Sequence, residues 1–388
     1  MKRLVTKAWN FDGQSDFSNP FHSFLYTLSL AYGGAVRLRN VLYDGGLLGV
    51  KRLPRPVVSV GNVTAGGTGK TPMVIFLTKL LRERGCRPAV LSRGYKGKGE
   101  GRVGVVSDGN HITASPAEAG DEPFLIASST GAIVLTGADR FATGLHAVER
   151  LGADVLVLDD AFQHRRLFRD VDILLLDADK PFGNRCLLPR GPMREPVNGL
   201  KRADIIVLTG SGENSGKSPV EEELRAKYSG IPVFRAVRQP KEIVPLSGGF
   251  FPPMQANPPE SFPSSPQKRE PGFPPDTLHG RRVCAFAGIA NPDSFRKTLA
   301  SLGAEIAAFL AFPDHHRYRV EDIEAVRKAA EKGKCEIILT TEKDGVKLRG
   351  FPSTGIHALR VEMSVTDGAG ELVDAVLERL RNGRRNRA

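Results

Sequence analysis

The chain has 388 residues, 40% of them apolar and 25% charged, which excludes a disordered or fibrous polymer and allows a large core, with two domains rather than one. Its formal charge of +12 implies an acidic partner, and nucleotide phosphates, a phosphorylated substrate, an anionic membrane surface and nucleic acid all qualify. Cys86, Cys186, Cys284 and Cys335 belong to no C-x-x-C or Cys/His grouping, which speaks against a zinc site or a disulfide framework and for a reducing, cytosolic setting.

In chain order, residues 1–16 read as loosely ordered, and their charges and polar side chains leave no secretory signal. From Phe17 to Val36 there is no Asp, Glu, Lys or Arg, yet Asn19, Pro20, His22, Ser23, Thr27 and Ser29 make the stretch too polar for a membrane span. Phe21, Phe24, Leu25, Leu28 and Tyr32 recur at helical spacing, and Arg37, Arg39, Lys51, Arg52 and Arg55 follow. That combination suits a helix lying in the interface of an anionic bilayer. A helix packed on the protein's own core has the same spacing, and the sequence leaves both open.

Residues 57 to 77 carry the strongest signal. The run Val57-Val58-Ser59-Val60-Gly61-Asn62 predicts a strand, Val63 to Gly69 a glycine-rich loop, and Lys70 onward an apolar-periodic helix with Pro72 in its first turn. Strand, loop and helix in this order cradle phosphate: backbone N–H groups close around the oxygens and the helix N-terminus adds partial positive charge. Lys70 is placed to reach β/γ-phosphates and the Thr71 hydroxyl to hold Mg²⁺. The usual pattern G-x-x-x-x-G-K-[ST] has glycine where this chain has Thr64.

Strand-like runs then alternate with helical patterns. Strands are predicted at Arg87 to Leu91, Ile133 to Leu135, Val155 to Leu158 and Ile173 to Leu176, with helices at 72–84, 117–130 and 140–151. This is the signature of a mostly parallel sheet with helices on both faces, a P-loop NTPase-like α/β fold, in which ligands sit at the carboxyl ends of strands. Several chemical groups fall there. Arg93, in Ser92-Arg93-Gly94-Tyr95, suits phosphate recognition. Gly120-Asp121-Glu122-Pro123 places two carboxylates at a helix start, where an ordinary cap and first-turn acid explain them equally well, and Asp139-Arg140 is open in the same way. Asp159 and Asp160 end an apolar strand, as a P-loop protein requires for the hydration shell of Mg²⁺. Gln163 and His164 follow at the same mouth. The loop Leu188 to Pro196, stiffened by three prolines, can hold Arg194 and Glu195.

The second half repeats the alternation as a second α/β lobe. Strands are predicted at Ile205 to Leu208, Val233 to Val237, Val283 to Phe286, Ile306 to Phe309, Ile337 to Leu339 and His357 to Val361, and helices at 219–228, 292–302, 320–333 and 368–381. Nine of the 27 prolines fall between Pro252 and Pro275, so residues 246–279 read as a mobile surface insertion. Phe312 to Tyr318 includes adjacent His315 and His316, which point different ways on any regular element. The basic cluster Arg379 to Arg387 reads either as a lipid contact or as a solvated tail.

Taken together the motifs resemble the tetraacyldisaccharide 4′-kinase (lipid A 4′-kinase) family, from about residue 20 to 365. The resemblance rests on Val60 to Thr64 with Gly66 to Pro72, Ser92 to Tyr95, Gly120 to Pro123, Asp159-Asp160 with Phe162-Gln163-His164, the Leu188 to Pro196 loop, Phe312 to His315 and Thr340-Thr341-Glu342-Lys343-Asp344. The family resembles this chain in having threonine at the Thr64 position. Departures are Ala161 in place of glycine, Arg190 in place of a small residue, and the proline-rich insertion.

The resemblance implies ATP-dependent phosphorylation of the 4′-hydroxyl of a tetraacylated glucosamine disaccharide 1-phosphate at the cytoplasmic face of the bacterial inner membrane, with ATP and Mg²⁺ and no nucleic-acid partner. It implies an N-terminal segment with an interfacial helix (1–45), a P-loop kinase domain (46–200), a second lobe (201–365) that closes over the nucleotide, and a C-terminal helix with a basic tail (366–388). Asp121 would take the proton from the sugar hydroxyl, and His315 would assist it from the other lobe. The full candidate set names Asp121, His315, Lys70 and Arg140 as catalytic groups, and Thr64, Ala65, Gly66, Gly67, Thr68, Gly69, Lys70 and Thr71 as nucleotide-binding. Thr71, Asp159 and Asp160 would hold the metal; Arg93, Gln163, His164 and Glu195 would bind substrate. The competing class is a P-loop nucleotide switch such as a GTPase-like metal chaperone. Thr341-Glu342-Lys343-Asp344 does not match an N-K-x-D guanine motif, and no Cys/His cluster supports a metal cargo.

Overall fold

The computed structural model describes Trp9 and residues 19–94, 103–210, 219–246, 272–348, 351, 353–366 and 368–385. Tyr95, most of the proline-rich segment and the last three residues lie outside these. The helices are α1 (Pro20–Asp44), α2 (Lys70–Glu83), α3 (Pro116–Ala119), α4 (Asp121–Thr130), α5 (Arg140–Leu151), α6 (Pro219–Lys227), α7 (Pro292–Ser301), α8 (Val320–Lys332), α9 (Glu342–Lys347) and α10 (Ala369–Arg385). The strands are β1 (Val57–Asn62), β2 (Pro88–Ser92), β3 (Gly104–Asp108), β4 (Ile133–Thr136), β5 (Val155–Asp159), β6 (Val171–Asp177), β7 (Ile205–Gly210), β8 (Val233–Pro245), β9 (Arg282–Ala287), β10 (Glu305–Ala311), β11 (Ile337–Thr341) and β12 (Ile356–Val365). Every strand anticipated from the apolar runs is present. The short β3 and the single-turn α9 were not anticipated, because neither has enough apolar residues to show a period.

The chain packs as two compact units built from interleaved segments, where the sequence suggested contiguous ones. The first comprises Met1–Val74, Asp154–Val237 and Ser364–Ala388; the second Ile75–Ala153 and Arg238–Met363.

In the first unit the strand order is β8-β7-β6-β1-β5, every pairing parallel. Parallel strands are covered on both faces, which is why β1 and β5 are buried along their whole length and are rich in Val and Leu. Val63, Phe162, Leu174, Phe182, Met193 and Ile206 form one core beside the loop that follows β1.

Helix α1 also belongs to this unit. Asn19 caps it, its side chain accepting from Phe21 N, and Pro20 opens it. Its inward face is His22, Leu25, Ser29, Gly33 and Val36. A Cβ on Gly33 would come within 2.7 Å of Leu187 Cδ1, so glycine is what allows the close approach. The Tyr32 hydroxyl donates to Arg194 O at 2.8 Å. The apolar residues foreseen as one bilayer stripe therefore divide: Leu25 and Tyr32 turn toward the protein, while Phe21, Phe24 and Leu28 stay exposed, as do Leu30, Leu38 and Val41. No helix among the described residues is long and apolar enough to cross a membrane.

The second unit holds two groups of strands. In one, β2 and β4 are parallel and β3 is antiparallel to β4; in the other, β10-β9-β11-β12 are all parallel. Helix α4 packs against α9. The packed chain resumes before the expected end of the proline-rich segment: Phe273 pairs with Ile243 and Leu278 is fully buried beside Val283 and Leu299.

Candidate active site

In the first unit the chain leaves β1 into the glycine-rich loop and enters α2 at Lys70. Gly66 (φ +144°) and Gly69 (φ +81°) take conformations closed to other residues, and a Cβ on Gly66 or Gly67 would meet nothing within 4 Å. The loop thus presents bare backbone to open space, which fits a phosphate cradle. It is pinned from beneath: Asn62 Nδ2 donates to Thr68 Oγ1 at 2.9 Å, and Thr209 Oγ1 on β7 donates to Thr68 O at 3.0 Å. Asn62 Oδ1 is buried without a hydrogen-bond partner.

The proline-stiffened loop lies along the cradle's entry. Arg194 N donates to Val63 O and Ala65 N to Pro192 O, each at 2.7 Å, and Thr64 pairs with Met193 in an antiparallel bridge. An extended residue needs no glycine, and Thr64 is absent from the positive-φ positions, which accounts for the odd first position of the motif.

Asp159 ends β5 opposite Val60 of β1 and is 4% exposed. Asp160, at φ +51°, steps out of the strand into the left-handed region. Both its oxygens accept from Arg194 Nη1, at 2.8 and 3.0 Å, and Lys70 Nζ lies 3.7 Å away. Thr71 follows Lys70 as the second residue of α2, half-buried. Gly61 permits this crowding, since a Cβ there would fall 2.6 Å from Phe162 Cβ.

Gln163 and Glu195 hold each other. Gln163 Nε2 donates to Glu195 Oε1 at 2.7 Å and to Asn62 O at 2.8 Å, and Arg202 Nη2 donates to Glu195 Oε2 at 2.7 Å. Glu195 is wholly buried. As packed, these two brace the loop against β1. His164 is half-buried, its backbone N–H on Ala161 O.

In the second unit, Asp121 opens α4 behind Gly120 (φ +90°). Its Oδ2 is 3.1 Å from His315 Nδ1 and 3.9 Å from Lys347 Nζ. The resemblance implied that His315 reaches Asp121 from another lobe on closure. Instead both residues belong to this one unit and already share a hydrogen bond, because α4 and α9 pack together and Lys343 Nζ donates to Glu122 Oε1 at 2.8 Å. Burial by itself raises the Asp121 carboxyl, but the His315 hydrogen bond and the charges of Lys347, His315 and Lys343 outweigh it and hold the group below its ordinary value. For Lys343, burial alone lowers the ammonium; the charge and hydrogen bond of Glu122, with Asp314 and Asp121, keep it above its ordinary value. Lys343 Nζ is also 3.5 Å from His315 Nε2. His316 turns away, to Asp322 at 2.9 Å, and stacks on Phe312.

Arg140 is buried at the start of α5, where Asp139 caps the helix and Arg140 Nη1 donates to Gly137 O. Arg93 stands exposed after β2. The sequence reading gave no role to Lys343, Asp344 and Lys347. The Thr341-Glu342-Lys343-Asp344 motif contained the signal, but α9 is too short to show which of its residues face Asp121.

A glycine-rich loop between a parallel strand and a helix, with carboxylates ending the neighbouring parallel strand, defines a P-loop NTPase-like α/β protein. The family model described as Tetraacyldisaccharide-1-P 4′-kinase matches residues 21–381, and the chain belongs to that family. It is similar to the tetraacyldisaccharide 4′-kinase of Syntrophus aciditrophicus (48% identity, 94% of this chain and 95% of the relative) and to that of Geobacter metallireducens (43%, covering 89% and 94%). Among solved structures it is similar to LpxK from Aquifex aeolicus in complex with ATP, at 34% identity and a TM-score of 0.70, covering 93% of this chain and 99% of that one.

Proposed function

We propose that the chain is an ATP-dependent kinase that phosphorylates the 4′-hydroxyl of a tetraacylated glucosamine disaccharide 1-phosphate, in lipid A biosynthesis. Family membership supports the substrate. The observation that carries the reaction type is the Asp121–His315 pair: an ionised carboxylate, oriented by an imidazole, is what a hydroxyl acceptor needs to lose its proton. A nucleotide switch has no such need.

The cradle from Thr64 to Thr71 binds the ATP phosphates through backbone N–H groups, and Lys70 adds positive charge. Thr71, Asp159 and Asp160 would hold Mg²⁺, which neutralises phosphate charge when bound. Two carboxylates and a hydroxyl suit this ion, which keeps several waters and leans on substrate phosphates. Among the described residues no cluster of three or more His, Cys, Asp or Glu offers a fuller protein cage. Glu195, Gln163 and Arg202 keep the loop at 192–194 against the cradle, and Arg93 and His164 are the proposed contacts for the anionic substrate.

The exposed Phe24, Leu28, Leu38 and Val41 of α1, with Leu47 and Val50 just beyond and Arg37 and Arg39 among them, support attachment of this face to the anionic cytoplasmic side of the inner membrane. The central experiment incubates the protein with γ-labelled ATP and detergent-dispersed disaccharide 1-phosphate. Label on the 4′-oxygen is expected; hydrolysis of ATP without transfer to lipid would overturn the assignment. For the membrane reading, Phe24→Glu/Leu28→Glu is expected to weaken co-sedimentation with anionic vesicles about tenfold or more, and unchanged binding would remove α1 from that role.

A further inference from the structure

Lys347 is the last residue of α9 and only 7% of its side chain is exposed. A buried ammonium has to be paired and hydrogen-bonded. Lys347 Nζ lies 2.7 Å from Asp344 Oδ1 and 3.2 Å from Gly288 O. Asp344 is itself wholly buried and takes further hydrogen bonds from Gly288 N at 2.9 Å and Thr341 Oγ1 at 2.7 Å. Gly288 leaves the room for this: a Cβ there would stand 3.0 Å from both Asp344 Oδ1 and the Tyr318 hydroxyl. The ammonium is therefore clamped, and its remaining charged neighbour is Asp121, at 3.9 Å from the same Oδ2 that meets His315.

Resting on the reading that Asp121 is the general base, we propose that Lys347 is a positioning residue: the Asp344-clamped ammonium fixes Asp121 in its ionised form with Oδ2 turned to His315. The charged and titratable groups around Asp121 are Glu122 beside it on α4; His315, Asp314 and Tyr318 from the segment after β10; and Lys343, Asp344 and Lys347 on α9. Lys343 is bound to Glu122, and its charge adds a smaller contribution to that of Lys347 at Asp121. Lys347 is balanced by an acid that holds it from behind, leaving its ammonium between the two carboxylates. Placing an opposite charge within about 4 to 6 Å of a carboxylate favours its charged form. The same contact costs no reorganisation when a hydroxyl arrives, because the clamp is already formed.

The test compares wild type with Lys347→Met, Lys347→Arg, Lys347→Met/Asp344→Asn and Asp121→Asn, by pH profiles of kcat/KM and by titration of the ¹³C-labelled Asp121 carboxyl. The double variant guards against misfolding, since it removes both buried charges instead of stranding Asp344. Lys347→Met and the double variant are expected to move the acid limb, and the Asp121 titration, upward by about one pH unit. Their kcat at alkaline pH should recover towards wild type, and Lys347→Arg should keep the wild-type limb. A loss of activity equal at all pH values, or an unmoved Asp121 titration in both methionine variants, would overturn the proposal while leaving Asp121 as the base. An active Asp121→Asn would instead overturn the base assignment and this inference with it.

Discussion

The chemistry proposed for the two units draws on different materials. In the first, the cradle is backbone: glycines at 66, 67 and 69 expose N–H groups, and side chains such as Asn62, Thr209 and Glu195 serve to hold that backbone still. In the second, the proposed base is a side chain, and the Asp121 carboxyl is held below its ordinary value against burial by His315, Lys347 and Lys343. Backbone recognition is local, so about ten consecutive residues determine it. The Asp121–His315 pair is assembled from stretches nearly two hundred residues apart in sequence. The first is expected to tolerate loss of an outlying brace, whereas the second should respond to each neighbour through pH.

The sharpest way to break this contrast is Lys70→Ala. It should lower kcat/KM for lipid phosphorylation by about 10³-fold or more, with circular dichroism unchanged, because Asp160, its ion-pair partner at 3.7 Å, is still held by Arg194. Near-normal turnover would mean that the cradle is not the nucleotide site. Next, Asp121→Asn should lower kcat about 10²- to 10³-fold while KM for ATP stays within a few-fold; a change confined to KM would move Asp121 from proton transfer to nucleotide binding.

His315→Ala should cost about tenfold in kcat and add a pH signature. Asp121 is held below its ordinary value, so its ionised form persists as pH falls and is lost only through that lowered value. Removing the His315 hydrogen bond moves the loss to higher pH, and the kcat profile of the variant should fall earlier on the acid side. A parallel drop at every pH would make the histidine a steric support instead. The smallest catalytic effect is expected from Glu195→Ala. It strands Arg202 and frees Gln163, so denaturant unfolding should show a loss of about 3 kcal/mol, with KM for ATP raised a few-fold and kcat nearly kept. A large fall in kcat with stability intact would put Glu195 on the substrate.

How much was legible follows the same division. The glycine-rich loop between strand and helix, the strand-end acids and the alternation of strands and helices were readable because each is a short-range pattern of glycine, β-branched residues and charge. Asp121 and His315 came from resemblance, since an acid at a helix start is explained as well by capping. Glu195 illustrates the opposite limit: the sequence put it near the site, but only the packing shows both its oxygens engaged. Thr64 is similar, an oddity in the motif until Met193 is seen beside it.

The amino-acid sequence by itself determined a parallel α/β protein with a glycine-rich loop between strand and helix, because apolar runs and glycine placement act over a few residues. Tertiary structure decided which face of α1 is left exposed, that both oxygens of Glu195 are engaged, and that Lys347 stands beside Asp121. Those outcomes depend on where distant segments pack, and a buried charge acquires its meaning only from the partners that surround it.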